Sequence, residues 1–162
     1  MPPAIRPATL ADVSALGRLG ALLVRTHYEF DRRRFIEPSP QTEQRYGAFL
    51  ATQLDKANIV VLVAEQDGQV VGYTYAGLEG FDYMALRGPA GALYDIVVEP
   101  SQRGRGIGRR LLDATLNALK ERGAPRVVLS TAEQNEPAQR LFGSAGLRRT
   151  MIEMTKELEA VD

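Results

Sequence analysis

The most informative stretch of the sequence is Arg103-Gly104-Arg105-Gly106-Ile107-Gly108-Arg109, between a predicted strand and a predicted helix. The first turn of a helix has unpaired backbone N–H groups at the positive end of the helix dipole, and these attract anions. Glycines let the backbone approach a phosphate without an intervening Cβ atom, and the flanking arginines add charge-assisted hydrogen bonds. The stretch therefore predicts a phosphate-binding loop, with a plain strand–helix turn as the alternative.

Two common nucleotide motifs do not match this loop. In the dinucleotide motif G-x-G-x-x-G, the last glycine is replaced by Arg109 or Leu111, depending on the starting glycine. The motif G-x-x-x-x-G-K-[ST] is absent because no glycine of the chain precedes a lysine. The pattern that matches is R-x-x-G-x-G, at Arg103, Gly106 and Gly108.

The segments around the loop predict an α/β domain. The β-branched runs 59–64, 70–75, 93–98 and 127–131 predict strands, and segment 147–158 is expected to be a final strand. Apolar spacings of three and four predict a helix capped by Thr9, and further helices over 42–56, 106–122 and 135–145. Asp67-Gly68 predicts a hairpin turn, and 79–91 a loop. We therefore expect one domain, 1–162, with a central, mostly antiparallel mixed sheet and helices on both faces.

Composition excludes several classes of function. Twenty basic residues balance twenty acidic ones, which does not favour nucleic-acid binding. The chain has no cysteine and only one histidine, His27, so we expect no disulfide, no cysteine nucleophile and no metal site. No apolar run approaches the roughly 18 residues that span a bilayer. The start of the chain lacks the pattern of a secretory signal, so we expect a cytoplasmic protein with no membrane partner.

The R-x-x-G-x-G pattern, after a strand and Glu99-Pro100, resembles the signature of the GNAT superfamily of N-acetyltransferases. The resemblance extends over nearly the whole chain and implies a GNAT-like fold with acetyl-CoA as cofactor. It implies that the loop amides hold the pyrophosphate, and that backbone near Ile96–Val98 pairs with the pantetheine arm and carries the bulge that receives the thioester oxygen. The implied cofactor-binding residues are Ile96, Val97, Val98, Arg103, Gly104, Arg105, Gly106, Ile107, Gly108, Arg109, Asn135 and Ala138.

Asn135 and Ala138 enter that set through the family's last motif, which continues here as Leu141-Phe142 and Gly146-Leu147. By local physics alone, Asn135 is a helix N-cap followed by Pro137 in the first turn. The two interpretations are compatible, because a capping asparagine can also face the cofactor arm.

The resemblance is incomplete at the catalytic positions. Phe142 stands where the family commonly has a tyrosine that protonates the leaving thiolate, and Tyr94 where many relatives have a glutamate. The catalytic candidates are therefore Tyr94, Asp95 and Glu79. Asp82 is a further candidate base, and Tyr73 and Tyr75 are further candidate acids, each of which could be an ordinary loop or strand residue. His27 is expected to interact with the end of its helix rather than to act in catalysis.

The resemblance implies an acetyl-CoA-dependent N-acetyltransferase that acts on a primary amine of a small molecule or peptide. With no cysteine to carry an acetyl group, we expect direct transfer. A non-catalytic acyl-CoA-binding sensor is the alternative that Phe142 suggests, and a phosphate-binding protein of another class is a third. The segments expected to flank the acceptor, 26–40 and 79–91, mix acids and arginines and do not select one amine. The resemblance also implies a possible homodimer.

Overall fold

A computed structural model describes residues 1–159 and contains, within them, a five-stranded sheet with the order β1-β2-β3-β4-β5. The first three pairings are antiparallel and the last, between β4 and β5, is parallel. The strands are β1 (Ala4–Pro7), β2 (Ile59–Gln66), β3 (Gln69–Glu79), β4 (Ala90–Val98) and β5 (Val127–Leu129). This arrangement confirms the expected mixed, mostly antiparallel sheet.

In residues 1–159, four α-helices pack against the two faces of this sheet. They are α1 (Val13–Phe30), α2 (Thr42–Ala51), α3 (Ile107–Glu121) and α4 (Glu136–Ser144). Single 3-10 turns at Leu10–Asp12 and Pro100–Gln102 precede α1 and α3. Within residues 1–159, none of the helices is both long and apolar enough to cross a membrane.

Each face of the sheet has its own core, because successive side chains of a strand point to opposite sides. On one face, Tyr73 and Val97 pack with Leu16 and Leu19 of α1 and Leu50 of α2. The opposite face packs against α3 and α4. The buried residues of its larger cluster are Val60, Ala76, Leu93, Leu112, Leu119 and Phe142, and a smaller cluster beside it contains Ala64, Val71, Ile107 and Leu111. The expected helices on both faces are thus confirmed.

The predicted turn between β2 and β3 is confirmed in its conformation. Asp67 and Gly68 both have positive φ angles, 52° and 77°, which is the geometry of a tight two-residue hairpin. The predicted loop 79–91 is also present between β3 and β4. It is shortened at both ends, because β3 continues to Glu79 and β4 begins at Ala90.

Some predicted boundaries are wrong. Strand β1 was not predicted, although it pairs with β2 through Ala4–Pro7. Helix α2 ends at Ala51 instead of residue 56, and β5 ends at Leu129 instead of residue 131. The predicted strand 147–158 is absent, because this segment has no regular structure and pairs with no strand among the described residues. A segment without a pairing partner lacks the ladder hydrogen bonds that define a strand.

The expectation of one domain over residues 1–162 stays a prediction, and residues 160–162 lie outside the described part.

Candidate active site

Strands β4 and β5 separate after a short contact. Their parallel pairing runs from Gly91–Val127 to Leu93–Leu129, and within the described residues it goes no further. The remainder of β4 continues to Val98 with only β3 beside it. A gap therefore opens between the two strands at the carboxyl end of β4.

The backbone of β4 presents free polar groups to this gap. The Glu99 N–H donates to the Val71 carbonyl of β3 at 2.8 Å. Because backbone groups alternate in direction along an antiparallel ladder, those of Ile96 and Val98 point away from β3. The Arg103 Nε confirms this direction, since it donates to the Val98 carbonyl at 3.0 Å from the far side. Ile96 and Val98 can thus pair with an extended ligand, whereas Val97 faces β3.

The glycine loop lies directly after this strand and begins α3. Gly104 and Gly106 have φ angles of 78° and 79°, a left-handed conformation that disfavours residues with a Cβ atom. A Cβ atom at either glycine would meet nothing within 4 Å, so the space beside the loop is open. The first N–H groups of α3, at Ile107, Gly108 and Arg109, have no acceptor within the helix. The loop therefore has the geometry of an anion site.

The three arginines of the loop differ in what they contact. Arg103 fastens the loop to Val98, as described above. Arg105 is exposed and donates to the Gln102 side chain at 3.1 Å. The Arg109 guanidinium turns to Asp113 at 2.9 Å and to the Ser144 carbonyl at 3.3 Å, so it links α3 to the end of α4. Arg109 therefore presents its backbone N–H to the open side of the loop, while its guanidinium is directed away from it.

Asn135 is the N-cap of α4, as its local sequence predicts. Its Oδ1 accepts a hydrogen bond from the Ala138 N–H at 3.2 Å, which leaves the amide NH₂ available for another partner. Ala138 packs against the α3–α4 core. Phe142, one helical turn further on, is buried in the same core with only 7% of its surface exposed. Phe142 thus fills core volume at the position where the family commonly has its acid.

A β-bulge at Tyr94 shapes the other side of the site. Tyr75 pairs with Asp95 and Ala76 pairs with Leu93, so Tyr94 is an extra residue in β4. Without the bulge, Leu93 and Asp95 would share one face of the sheet. Instead Leu93 joins the α3–α4 core, while Asp95 contacts α2. The bulge was expected near Ile96–Val98, and that expectation is corrected: it lies at Tyr94, nearer to the end of β5.

Asp95 is buried beneath α2 and accepts two hydrogen bonds on one oxygen. Tyr46 donates to Asp95 Oδ2 at 2.6 Å and Tyr73 donates to the same atom at 2.8 Å. Burial raises the pKa of the Asp95 carboxyl, although the two tyrosine hydrogen bonds oppose this shift. Burial, and then the nearby Asp95 charge, also raises the pKa of both tyrosines, so their hydroxyls remain protonated donors.

Tyr94 and Glu79 form a second pair at the more open end of the site. The Tyr94 hydroxyl donates to Glu79 Oε2, and Arg87 donates to Glu79 Oε1. Arg87 also lies 3.9 Å from Asp82. Burial, and then the hydrogen bond to Glu79, raises the pKa of the Tyr94 hydroxyl. Tyr94 is 43% exposed and Asp95 only 7%, so Tyr94 is the more accessible of the two.

The remaining candidates have structural surroundings. The Tyr75 hydroxyl donates to Gln53 Oε1 at 3.0 Å, and its ring lies 4.9 Å from the ring of Tyr94. His27 Nδ1 lies 2.8 Å from the Leu23 carbonyl in the same helix, as expected for a histidine near a helix C-terminus. The structure therefore brings Glu79, Tyr94 and Tyr75 together, and places Asp95 behind them with Tyr73.

Sequence reasoning did not identify Tyr46 and Arg87 as parts of this site. Tyr46 lies 49 residues before Asp95 in the chain, and no spacing rule connects them. Arg87 lies in segment 79–91, whose mixed charges give it no particular role from the sequence alone. Asp82 and Arg87 pair with each other in the loop between β3 and β4. This pairing turns the loop back, so that Arg87 reaches Glu79 at the end of β3.

Comparisons with known proteins agree with this geometry. The family model "Acetyltransferase (GNAT) family" matches residues 24–147. A mycothiol acetyltransferase of Thermomonospora curvata is 34% identical over 94 residues, which are 58% of this chain and 29% of that protein. The chain thus spans about a third or less of the length of this relative. An uncharacterized N-acetyltransferase of Bacillus subtilis, YhfO, is 30% identical over 142 residues, 88% of this chain and 87% of that protein.

Among solved structures, a predicted acetyltransferase of Clostridium acetobutylicum with acetyl-CoA superimposes with a TM-score of 0.69. It is 23% identical and the match covers 96% of each chain, which shows a common fold. The strand gap, the glycine loop before α3 and the match of the family model over residues 24–147 together establish that this chain belongs to the GNAT family of acetyltransferases.

Proposed function

We propose that this chain is an acetyl-CoA-dependent N-acetyltransferase that transfers the acetyl group directly to a primary amine. The observation that carries the proposal is the continuity between the open backbone of β4 and the start of α3. Arg103 connects the two through its hydrogen bond to Val98. An extended pantetheine arm beside Ile96 and Val98 would place its pyrophosphate at the unpaired N–H groups of Ile107–Arg109.

The cofactor end of the site fits coenzyme A by its chemistry. A pyrophosphate needs several converging N–H donors, and the first turn of α3 supplies them next to two glycines with open space beside them. The amide groups of pantetheine need backbone partners, which Ile96 and Val98 offer. Asn135, whose Oδ1 is used in the cap, could donate its amide NH₂ to the same arm.

The acceptor end has a negative charge balance, which favours a cationic amine. Glu79 and Asp82 face Arg87 alone within the cluster described above, so two acidic groups oppose one basic group. A protonated amine is attracted to such a site before it loses its proton. This charge balance supports an amine acceptor and selects no particular molecule.

We assign the proton transfers to Glu79 and Tyr94. An ammonium acceptor with a pKa of about 10.4 must lose a proton before its nitrogen can attack the thioester carbon. Glu79 takes that proton, and the neutral amine attacks. When the C–S bond of the tetrahedral intermediate breaks, Tyr94 gives its proton to the leaving thiolate and regains one from Glu79 across their hydrogen bond. The new amide loses its extra proton to solvent.

Asp95 has a different role in this proposal. Its carboxyl is buried and both of its hydrogen bonds come from tyrosines, so it holds Tyr46 and Tyr73 in place. Asp95 is therefore proposed as a positioning residue that fixes the bulge and, through it, the Tyr94 hydroxyl.

The residue inventory supports the proposal of direct transfer. The chain has no cysteine to form a thioester intermediate. We expect intact-mass spectrometry during turnover to detect only unmodified protein, and a kinetically competent acetylated side chain would contradict direct transfer.

One observation favours a second function, an acyl-CoA-binding sensor without turnover. Phe142 is buried in the α3–α4 core and has no hydroxyl to protonate a thiolate. Two measurements separate the possibilities: calorimetric titration with acetyl-CoA, with ATP and NAD as controls, and thiol release over a panel of amines. Selective binding with turnover supports the enzyme, selective binding without turnover supports the sensor, and no binding contradicts both.

A further inference from the structure

Three aromatic rings form a continuous surface beside Glu79, on the side of the sheet that α1 and α2 cover. Phe49 of α2 meets Tyr75 of β3 edge to face, with ring centroids 5.9 Å apart. The Tyr75 ring in turn lies 4.9 Å from the ring of Tyr94 in β4, at an interplanar angle of 46°. Both separations are those of rings in contact. We call Phe49, Tyr75 and Tyr94 the aromatic shelf.

The two outer rings of the aromatic shelf are open to solvent. Phe49 is 47% exposed and Tyr94 is 43% exposed, while Tyr75 between them is half-buried. An exposed apolar surface that polar groups border is typical of a ligand-binding groove. Glu79 supplies such a border, because its carboxylate accepts the hydrogen bond of the Tyr94 hydroxyl.

Contacts beneath the aromatic shelf hold its rings in place. The Tyr75 hydroxyl donates to Oε1 of Gln53, which is buried and whose Nε2 donates to the Thr52 hydroxyl at 3.0 Å. On β3, a Cβ atom at Gly77 would lie 3.3 Å from Cε2 of Tyr94, so the missing side chain lets the Tyr94 ring lie close to the strand. The aromatic shelf is therefore formed before a ligand binds, which lowers the entropic cost of binding.

The aromatic shelf offers little hydrogen bonding to a ligand. Its two hydroxyl groups already donate within the protein, that of Tyr75 to Gln53 and that of Tyr94 to Glu79. A polyhydroxylated acceptor such as a sugar would lose hydrogen bonds to water over this surface without replacing them, which is unfavourable. An apolar group has no such loss and gains from leaving water.

The charges beside the aromatic shelf match a single ammonium group. Glu79 and Asp82 face Arg87, so the net charge of these three groups is one negative charge. A single ammonium group balances this charge. A second ammonium group over the uncharged rings would lose hydration without a carboxylate partner.

We propose that the aromatic shelf binds the apolar part of the acceptor, and that the acceptor is a primary amine with an aromatic group on a short alkyl chain. This inference rests on the proposed function, in which Glu79 takes the proton of the amine and so fixes the position of its nitrogen. A short chain suffices, because the Tyr94 hydroxyl that contacts Glu79 belongs to one of the rings of the shelf. Phe49, at the other end, is then a residue that determines specificity.

The first test compares kcat/KM for four primary amines at saturating acetyl-CoA: phenethylamine, butylamine, glucosamine and putrescine. We expect the value for phenethylamine to exceed each of the others by about tenfold or more, because only its ring packs on the aromatic shelf. Equal values for phenethylamine and butylamine, or a higher value for glucosamine or putrescine, would overturn the proposal.

The second test removes the outer ring of the shelf with Phe49→Ser. We expect the KM for phenethylamine to rise about fivefold or more with kcat nearly unchanged, and the KM for butylamine to change less than about twofold. Phe81→Ser is the matched control, because Phe81 is 71% exposed but stacks on Tyr83 in the loop between β3 and β4. Equal effects of the two variants on phenethylamine would contradict a role of the shelf.

A binding measurement separates failure of this inference from failure of the proposed function. Protein saturated with CoA, which has no acetyl group to transfer, is titrated with phenethylamine and with butylamine by calorimetry. We expect phenethylamine to bind about tenfold more tightly or better, and Phe49→Ser to lose most of this difference. Ring-dependent binding without turnover would support the shelf and contradict acetyl transfer. Turnover without a preference for the ring would support acetyl transfer and overturn the shelf, and neither amine binding nor turnover would contradict both.

Discussion

The Tyr46 hydroxyl lies 2.6 Å from Asp95 Oδ2, and this hydrogen bond joins α2 to the bulged part of β4. Burial raises the folded-state pKa of Asp95 above its usual value of about 3.9. The folded protein therefore binds this proton more tightly than the unfolded chain does. The contribution of Asp95 to the unfolding free energy is therefore greatest below its pKa in the unfolded chain, and it falls as the pH rises through its pKa in the folded protein.

Asp95→Asn tests this linkage because it removes the ionisation and keeps the size of the side chain. As the pH rises above about 4, we expect the unfolding free energy of the wild type to fall relative to that of Asp95→Asn. Denaturant unfolding at a series of pH values measures this difference. A difference that does not vary with pH would mean that Asp95 is not perturbed in the folded state.

The pair of Tyr94 and Glu79 gives the prediction for catalysis. Removing a group that transfers a proton in the transition state typically costs about 10²- to 10⁴-fold in rate. We expect Tyr94→Phe and Glu79→Gln each to lower kcat by about 100-fold or more, with acetyl-CoA affinity nearly unchanged. Tyr83→Phe is the matched control, because Tyr83 is 77% exposed in the adjacent loop. Equal kcat values for Tyr94→Phe and Tyr83→Phe would remove Tyr94 from the mechanism.

Substitution by alanine is expected to have different effects at the two glycines at the start of α3, Gly106 and Gly108. Gly106 has a left-handed φ of 79°, which costs an alanine about 1–2 kcal/mol. Gly108 is helical, and its added methyl would meet Leu141 at an ordinary 3.5 Å. We expect Gly106→Ala to weaken acetyl-CoA binding at least tenfold and Gly108→Ala to change it by less than twofold. Calorimetry measures both, and equal losses would show that the backbone conformation is not the determinant.

These glycines also show how far the sequence determines the fold. The glycine loop, the amphipathic helix after it and the Asp67-Gly68 turn were predictable, because local conformation and periodicity specify them. The prediction of helices on both faces follows from the alternating order of strands and helices. Such features depend on residues that are close together in the chain.

The features that escaped prediction depend on distant partners. The bulge at Tyr94 is a matter of register between β3 and β4, and nothing in 93–98 alone marks an extra residue. The hydrogen bond from Tyr46 to Asp95 joins two elements that only the tertiary packing brings together. Segment 147–158 has a strand pattern, but whether a strand forms depends on a pairing partner that the local sequence does not specify.

Asp12 gives a prediction with the opposite dependence on pH. It is buried, and its carboxylate accepts from Arg6 at 2.8 Å and from the Thr9 N–H at 2.8 Å. The hydrogen bond from Arg6 lowers the pKa of Asp12, so its contribution to stability is present above the unfolded pKa of about 3.9 and is lost as the pH falls. We expect Asp12→Asn to cost about 2 kcal/mol at neutral pH and less at pH 3.

Asp113→Asn is the control for that experiment, because Asp113 also accepts from an arginine but is 49% exposed. An exposed pair of this kind contributes about 0.5 kcal/mol or less. Chemical denaturation at pH 7 and pH 3 compares the two variants. A loss for Asp12→Asn that is as small as the loss for Asp113→Asn would show that the buried carboxylate does not stabilise the start of α1.

The packing of α1 on α2 bears on the active site, because Gly20 of α1 lies against the ring of Tyr46, whose hydroxyl donates to Asp95. A Cβ atom at Gly20 would lie 2.1 Å from the Tyr46 ring, so Gly20→Ala has to displace the side chain that binds Asp95. Overpacking of this kind costs about 1–3 kcal/mol. We therefore expect Gly20→Ala both to lower stability and to lower kcat, since Asp95 loses a hydrogen-bond donor and the bulge loses its support.

Gly143→Ala is the matched control, because Gly143 is also helical but its added methyl would meet nothing within 4 Å. In an exposed helix, alanine is favoured over glycine by about 1 kcal/mol, so this variant should be slightly more stable than the wild type. Thermal melts and steady-state kinetics measure both variants. If Gly20→Ala lost stability but kept the wild-type kcat, the Tyr46–Asp95 contact would stabilise the fold without positioning Tyr94, and Asp95 would have no part in the reaction.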